Sequence, residues 1–209
     1  MNYTSRGQVM FQSNESYKGE DFRDETLRDI QLTQTTFENC RFTYIDATEF
    51  ETEQCRFINC DFTDSKWNAS RHSGSSFLNC QFNGANLFLS EFDQCKMTGS
   101  SFESCTFEGV VVREGDWSFV NLRHAPLRKM DWSGVRLTEA DLYGADLKES
   151  RWTNAVLSRA VLQHADCSGA DFVGAEMDGV DFSDVILKQA TIDVIQAVQV
   201  ARSLGANVI

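Results

Sequence analysis

Ala140-Asp141-Leu142-Tyr143-Gly144-Ala145-Asp146-Leu147 states twice, five residues apart, the pattern that decides the fold: a small residue, a polar residue, then a large apolar one. It returns at Ala165-Asp166, Ala170-Asp171-Phe172 and Ala175-Glu176-Met177. Counting by fives from Leu142 in both directions gives 36 central positions, from Tyr17 to Ile192. Of these, 32 hold Leu, Phe, Met, Trp, Tyr, Val or Ile, the exceptions being Ala47, Thr52, His72 and Cys167. Two residues before each centre the side chain is small in 29 of 36 cases, failing at Glu15, Glu20, Glu25, Ile30, Ile45, Phe50 and Met130.

A period of five fits neither the 3.6 of a helix nor the 2 of a strand. It suits a solenoid whose five-residue units each form one side of a coil, two side chains inward and three outward. The small, Asp-or-Asn, Leu-or-Phe pattern resembles the pentapeptide-repeat family. The resemblance implies an all-β fold, a right-handed quadrilateral parallel β-helix of about nine coils, in which residues 20 apart stack. The sequence carries such columns: Phe22, Phe42, Phe62, Phe82, Phe102, Leu122, Leu142, Leu162, Phe182 in one, and Tyr17, Phe37, Phe57, Phe77, Met97, Trp117 beginning another. Like shapes stack well at the ~4.8 Å spacing of neighbouring strands.

Three segments are expected: residues 1–16 as an N-terminal cap folded back as a lid, 17–192 as the solenoid, and 193–209 as a C-terminal helix and tail. Asp193 is placed to cap a helix running to Leu204, with Gly205 as its stop. Val194, Ile195, Val198, Ala201 and Leu204 lie on its apolar side and are the candidate dimer contacts, while Asp193, Gln196, Gln199 and Arg202 form the polar side. An open solenoid end exposes strand edges. Apolar surface beyond what covers that end suits a symmetric end-to-end homodimer.

Two stretches weaken the frame. Around Ala47, Thr52 and His72, with Ile45 and Phe50 in small positions, the segment Tyr44 to Gln54 is expected to bulge outward. The second is Glu108-Gly109-Val110-Val111-Val112-Arg113-Glu114-Gly115. Pro126, the single proline, falls at an outward position. Because the phase survives both stretches, the simplest reading has no long loop.

Six of the seven cysteines occupy the small inward position, where a thiol acts as a small apolar side chain. Disulfides between coils are poor candidates because the Cβ directions are parallel. No CxxC or paired-histidine spacing points to a metal, and no cofactor is expected. Recurrent aspartates belong to the repeat, so carboxylate pairs do not argue for catalysis, and the glycines form no phosphate-cradling loop. A non-enzymatic protein is expected.

The chain has 19 Lys+Arg against 31 Asp+Glu, a net charge of −12, which argues against direct binding of nucleic acid. No secretory leader pattern and no 18-residue apolar run occurs, so a cytoplasmic protein without a membrane segment is expected. Summed by side, the charge concentrates on two opposite sides, net −6 on the Phe22 side and −5 on the Leu32 side. Candidate partner-binding carboxylates are Glu51, Glu53, Glu91, Asp93, Glu114, Asp131 and Asp171 on the latter, and Asp61, Asp64, Asp141 and Asp181 on the former. Their density is about a third of the one charge per ~1.7 Å of duplex DNA.

An acidic rod of this length with a short apolar terminal helix is similar to the Qnr and MfpA group of that family. The resemblance implies a dimer that mimics DNA, binds gyrase or topoisomerase IV and protects it from a poison such as a quinolone. The other reading is a scaffold or regulator that uses the flat sides of the rod for a different protein.

Overall fold

The computed structural model describes residues 2–3 and 9–209; residues 1 and 4–8 lie outside it, and so does that part of the expected N-terminal lid. β1 (Asn2–Tyr3) pairs antiparallel with β2 (Val9–Met10). Phe11 then sets its ring edge-on to Tyr17 and Phe22, with centroids 5.9 and 5.0 Å apart.

From Glu15 onward the chain coils with a register of twenty residues. On one side, β3 (Ser16–Lys18), β5 (Thr36–Glu38), β7 (Arg56–Ile58) and β9 (Ser76–Leu78) pair in parallel. On another, β4 (Gln31–Thr33), β6 (Glu51–Glu53), β8 (Arg71–Ser73), β10 (Glu91–Asp93) and β11 (Val111–Arg113) do the same. Single bridges continue the i to i+20 ladder, from Asp21 with Arg41 to Asp171 with Thr191. This is the all-β parallel β-helix that the resemblance implies.

The corners explain why five residues suffice for a side. With the exceptions of Asp24, Asp184 and the helical Val194, the second residue after each centre adopts a left-handed conformation, as at Tyr44 (φ 61°), Leu89 (59°) and Phe119 (60°), or is glycine, as at Gly84 (71°). That conformation costs an ordinary side chain about 1 kcal/mol or more, so the corners hold only because core and ladder over-determine them.

The core is a set of vertical stacks. Phe37 on Phe57 and Phe57 on Phe77 lie parallel with centroids 4.9 and 4.7 Å apart, and Phe42, Phe62, Phe82 and Phe102 follow at 4.9 to 5.0 Å. The ring spacing equals the strand spacing, so each layer adds an aromatic contact and a ladder rung together. All seven cysteines are buried and free. Burial pushes the thiols of Cys95, Cys105 and Cys167 up to about 12, which keeps them protonated.

Tyr44 to Gln54 does not bulge. Ile45 and Phe50 are buried, Tyr44 N–H donates to the Thr63 carbonyl at 2.9 Å, and β6 runs in register. The physical reason is exchange of volume around one corner: Ile45 and Phe50 flank the centre Ala47, so large residues in the two small positions offset its short side chain.

The last element is α1 (Val194–Ser203), started by a capping box in which Asp193 and Gln196 serve each other's backbone amides. Its expected polarity is wrong in one respect. Gln196 is the buried residue, its amide donating to the carbonyls of Phe172 and Ala175, the latter at 3.0 Å. The Ala175 carbonyl has no backbone donor from a coil above it, so a side-chain amide meets that edge better than an apolar side chain would. Val194 and Ile195 point to solvent instead, 81% and 73% exposed, and Leu204 is 61% exposed.

Candidate partner-binding surface

Outward side chains form two rails along each side, one residue before and one after the buried centre. On the Leu32 side the first rail reads Gln31, Glu51, Arg71, Glu91, Val111, Asp131, Arg151, Asp171, and the second carries Glu53, Asp93 and Arg113. Between the rails lies a shallow groove of about 360 Å³, with Thr52 and His72 in its floor.

The first rail alternates in sign, and the charges meet. Arg71 lies 3.5 Å from Glu51 and 3.8 Å from Glu91, Arg113 reaches Glu91 at 3.0 Å, and Arg151 reaches Asp131 at 3.3 Å. On the second rail Glu53 and Asp93 have no ion pair among the described residues. Glu114 accepts from the Gln94 side chain at 3.3 Å. The seven carboxylates therefore share one side, but they do not form a uniform acidic strip. Glu53 and Asp93 present full charges, whereas Glu51, Glu91 and Asp131 stand beside guanidinium groups.

On the opposite side, Asp61 accepts from Thr63, Asp141 lies 3.0 Å from Arg123, and Asp181 accepts from the Ser183 amide at 2.9 Å. The Ser183 hydrogen bonds hold the Asp181 carboxyl below its ordinary range. Arg123 also covers the Tyr143 ring, 4.2 Å from its centroid. Tyr143 contacts His124 and His164 edge-on, so the two histidines face a phenol ring rather than each other. Asp64 occupies the corner, where its carboxylate lies over Gly84. Among the described residues no cluster of His, Cys, Asp and Glu could hold a metal ion. Among them, too, no helix is long and apolar enough to cross a membrane.

The aspartates that the repeat places before the centres also have a structural task. A carboxylate oxygen of Asp61, Asp131, Asp141, Asp171 and Asp181 accepts the amide two residues on, at 2.9 to 3.1 Å. Asn86 and Asn121 make the same bond with a neutral side chain. The motif needs an oxygen there, and a charge only where something else uses it.

The groove floor holds a buried polar chain that the spacing of Thr52 and His72 foreshadows. Ser90 Oγ donates to the Trp67 carbonyl at 2.7 Å, Ser70 donates to Ser90 at 3.2 Å, and His72 Nε2 lies 3.0 Å from Ser70 Oγ. With both hydroxyl protons committed, Ser70 accepts from Nε2–H, and Nδ1 accepts from Thr52 at 2.7 Å. Burial pushes the His72 imidazole down to about 3, so it is neutral and structural.

A family model for the pentapeptide repeat region matches residues 85–154, and one for eight copies of the pentapeptide repeat matches 153–189. Together they span just over half of the chain. No curated protein matches by sequence. Among solved structures, the chain is similar to a trypsin-treated variant of QnrB1, a plasmid-mediated fluoroquinolone resistance protein. The TM-score is 0.72 at 20% identity, over 95% of this chain and 99% of that one. Full-length QnrB1 gives 0.66 at 18%, over 93% and 99%. HetL, a pentapeptide repeat protein involved in heterocyst differentiation regulation from the cyanobacterium Nostoc sp. strain PCC 7120, gives 0.51 at 19%, over 90% and 93%.

Proposed function

The chain belongs to the pentapeptide-repeat family, and from that footing we propose that it is a non-enzymatic protein that binds a type II topoisomerase, gyrase or topoisomerase IV. It does so by presenting its acidic side in place of DNA, and it thereby protects the enzyme from a poison. The observation that carries this reading is the Leu32 side: its units carry a net charge of −5, and Glu53 and Asp93 have no ion pair among the described residues. The fold likeness to QnrB1 over nearly all of both chains supports it. Charge at that density steers the rod into a basic groove and gives an affinity that falls with salt.

The exposed apolar side of α1, with Val194, Ile195 and Leu204, is the proposed contact of a homodimer, and Val198 and Ala201 lie beside it, half-buried. Pairing two rods through their helices doubles the length of acidic surface along one axis.

The test uses purified protein in supercoiling and poison-induced cleavage assays with gyrase and topoisomerase IV. Inhibition of supercoiling, reduced cleavage and binding that weakens with salt are expected. The diagnostic variant combines Glu53→Gln, Glu91→Gln, Asp93→Asn, Asp131→Asn and Asp171→Asn. Amides keep the turn bonds that Asp131 and Asp171 make, so the rod stays folded while the charge is lost. Binding unchanged by that variant would reject DNA mimicry, and no binding at low salt would reject the topoisomerase.

The second reading is a scaffold or regulator for another protein, favoured by the likeness to HetL over a comparable share of both chains. Capture from a lysate separates the two: topoisomerase subunits are retained under the first reading and absent under the second.

A further inference from the structure

Midway along the rod, the ladder between coils is interrupted across a whole corner. Going up from the coil that ends at Glu114, the amides of Ser104, Phe107, Gly109, Val112 and Glu114 make no backbone bond to the coil above, among the described residues. Asp131 makes none to the coil below, and Pro126 has no N–H to offer the Cys105 carbonyl. One coil lower the equivalent bonds are present, as from Leu87 to Thr106 (3.2 Å), Leu89 to Glu108 (3.0 Å) and Gln94 to Arg113 (2.8 Å). One coil higher they are present again, from Leu127 to Asp146 and Lys129 to Lys148 (both 2.9 Å) and from Trp132 to Arg151 (2.8 Å). At the same level the other two sides stay closed, through Met97 to Asp116 (2.8 Å) and Phe102 to Asn121 (2.9 Å).

A cleft of about 400 Å³ occupies the gap, between Phe107–Val112 below and Pro126–Asp131 above. Val110, Val112 and Met130 are 7, 7 and 9% exposed, whereas Phe92 and Trp152, in the coils on either side, are fully buried. Three residues account for the gap. Pro126 removes a donor, Met130 is a long side chain in a small position, and Gly115 carries the chain between the two coils at φ 94°. A Cβ on Gly115 would fall onto the Cys95 carbonyl oxygen.

We infer that this seam is a hinge. The coils up to Glu114 and those from Asp116 onward move as two rigid bodies. The closed ladders beneath Asp116 and Asn121 form the pivot, and the cleft at the Phe107–Val112 corner opens and closes. Bending there breaks no backbone bond between coils, whereas bending at the levels just above and below breaks several, each leaving groups that must find water. The acidic side is thereby divided: Glu51, Glu53, Glu91 and Asp93 travel with one body, Asp131 and Asp171 with the other. The angle between the halves adjusts without any change within either. This holds whatever partner the rod takes.

Spin labels at Glu49→Cys and Gln189→Cys, both exposed on the same corner and on opposite sides of the seam, test it by distance measurement. The native thiols are buried and leave the labelling selective. A broad or two-peaked distribution is expected for that pair and a narrow one for Glu49→Cys with Leu89→Cys, which lies within one body. In parallel, the amides of Phe107, Gly109, Val112 and Glu114 should exchange hydrogen about 100-fold or more faster than those of Leu127, Lys129, Trp132 and Gly134. Equal exchange would show that the seam is closed in solution. Fast exchange with an equally narrow distribution for both pairs would show a fixed notch; either result overturns the hinge.

Discussion

Thr52 Oγ1 lies 2.7 Å from His72 Nδ1, one coil apart, and the rings of Phe50, Trp67, Phe77 and Phe92 pack around the imidazole. The imidazole stacks on Phe92 with centroids 5.2 Å apart and fills the place of a phenylalanine. Its pKa falls from 6.5 in the unfolded chain to about 3 in the folded one. The unfolded chain therefore binds the proton first as pH falls. The stability present above pH 6.5 is lost progressively between 6.5 and about 3, by about 1.4 kcal/mol per pH unit. His72→Phe should remove that share of the acid sensitivity. Urea unfolding of both proteins between pH 7 and 4 checks it, and parallel curves would disprove the assignment.

Arg71 stands between Glu51 and Glu91, with its own side chain 59% exposed and theirs 39 and 35%. Such pairs contribute about 0–1 kcal/mol to stability, far less than a buried aromatic ring. Arg71→Ala should therefore fold normally and make the side more acidic by one charge. If the acidic side docks in a basic groove, low-salt affinity for gyrase rises, about threefold, and the gain vanishes at high salt. Binding isotherms at two salt concentrations measure it. Weaker binding would mean that Arg71 itself contacts the partner.

Gln196 holds α1 on the last coil through two carbonyls, that of Phe172, which also accepts the Ala175 amide, and that of Ala175, which no backbone amide reaches. Gln196→Ala should destabilise the helix by about 1–3 kcal/mol, the cost of stranding the buried Ala175 carbonyl. Local fraying is expected in place of global unfolding, because the coils beneath keep their own ladder. Hydrogen exchange in residues 194–203 should rise while that around Phe82 stays unchanged.

Ile195 and Leu204 are exposed and belong to no interior. The double variant Ile195→Asp, Leu204→Glu should leave thermal stability nearly unchanged and halve the mass found by sedimentation. A wild-type monomer at micromolar concentration would remove the basis for the dimer.

The frame from Tyr17 to Ile192 is legible because a five-residue period leaves almost nothing else for the chain to do, and the stacked columns of Phe22 and Tyr17 follow from it. The bulge expected at Tyr44 to Gln54 is absent because Ile45 and Phe50 cannot be judged apart from Ala47, whose small volume makes room for them. The polarity of α1 departs from expectation for a related reason. Helical periodicity sorts residues by hydropathy, but the surface α1 covers is an edge of carbonyls, which calls for an amide. The carboxylates of the Leu32 side do share that side, yet their pairing depends on Arg71 stacking between Glu51 and Glu91, which only the register reveals. The soft stretch Glu108 to Gly115 is visible in the sequence; that its consequence appears against Pro126 and Met130, in the next coil, is not.

The twenty-residue register has one more consequence. Any block of twenty that starts and ends at the same corner can be lifted out, since its removal joins two faces that already match. Deleting 145–164 would bring Gly144 to Ala165 across an unaltered corner and shorten the rod by one strand spacing, ~4.8 Å. Reach is thus a graduated quantity here, a ruler marked in layers, that descent by duplication or loss can lengthen or trim without redesigning either end.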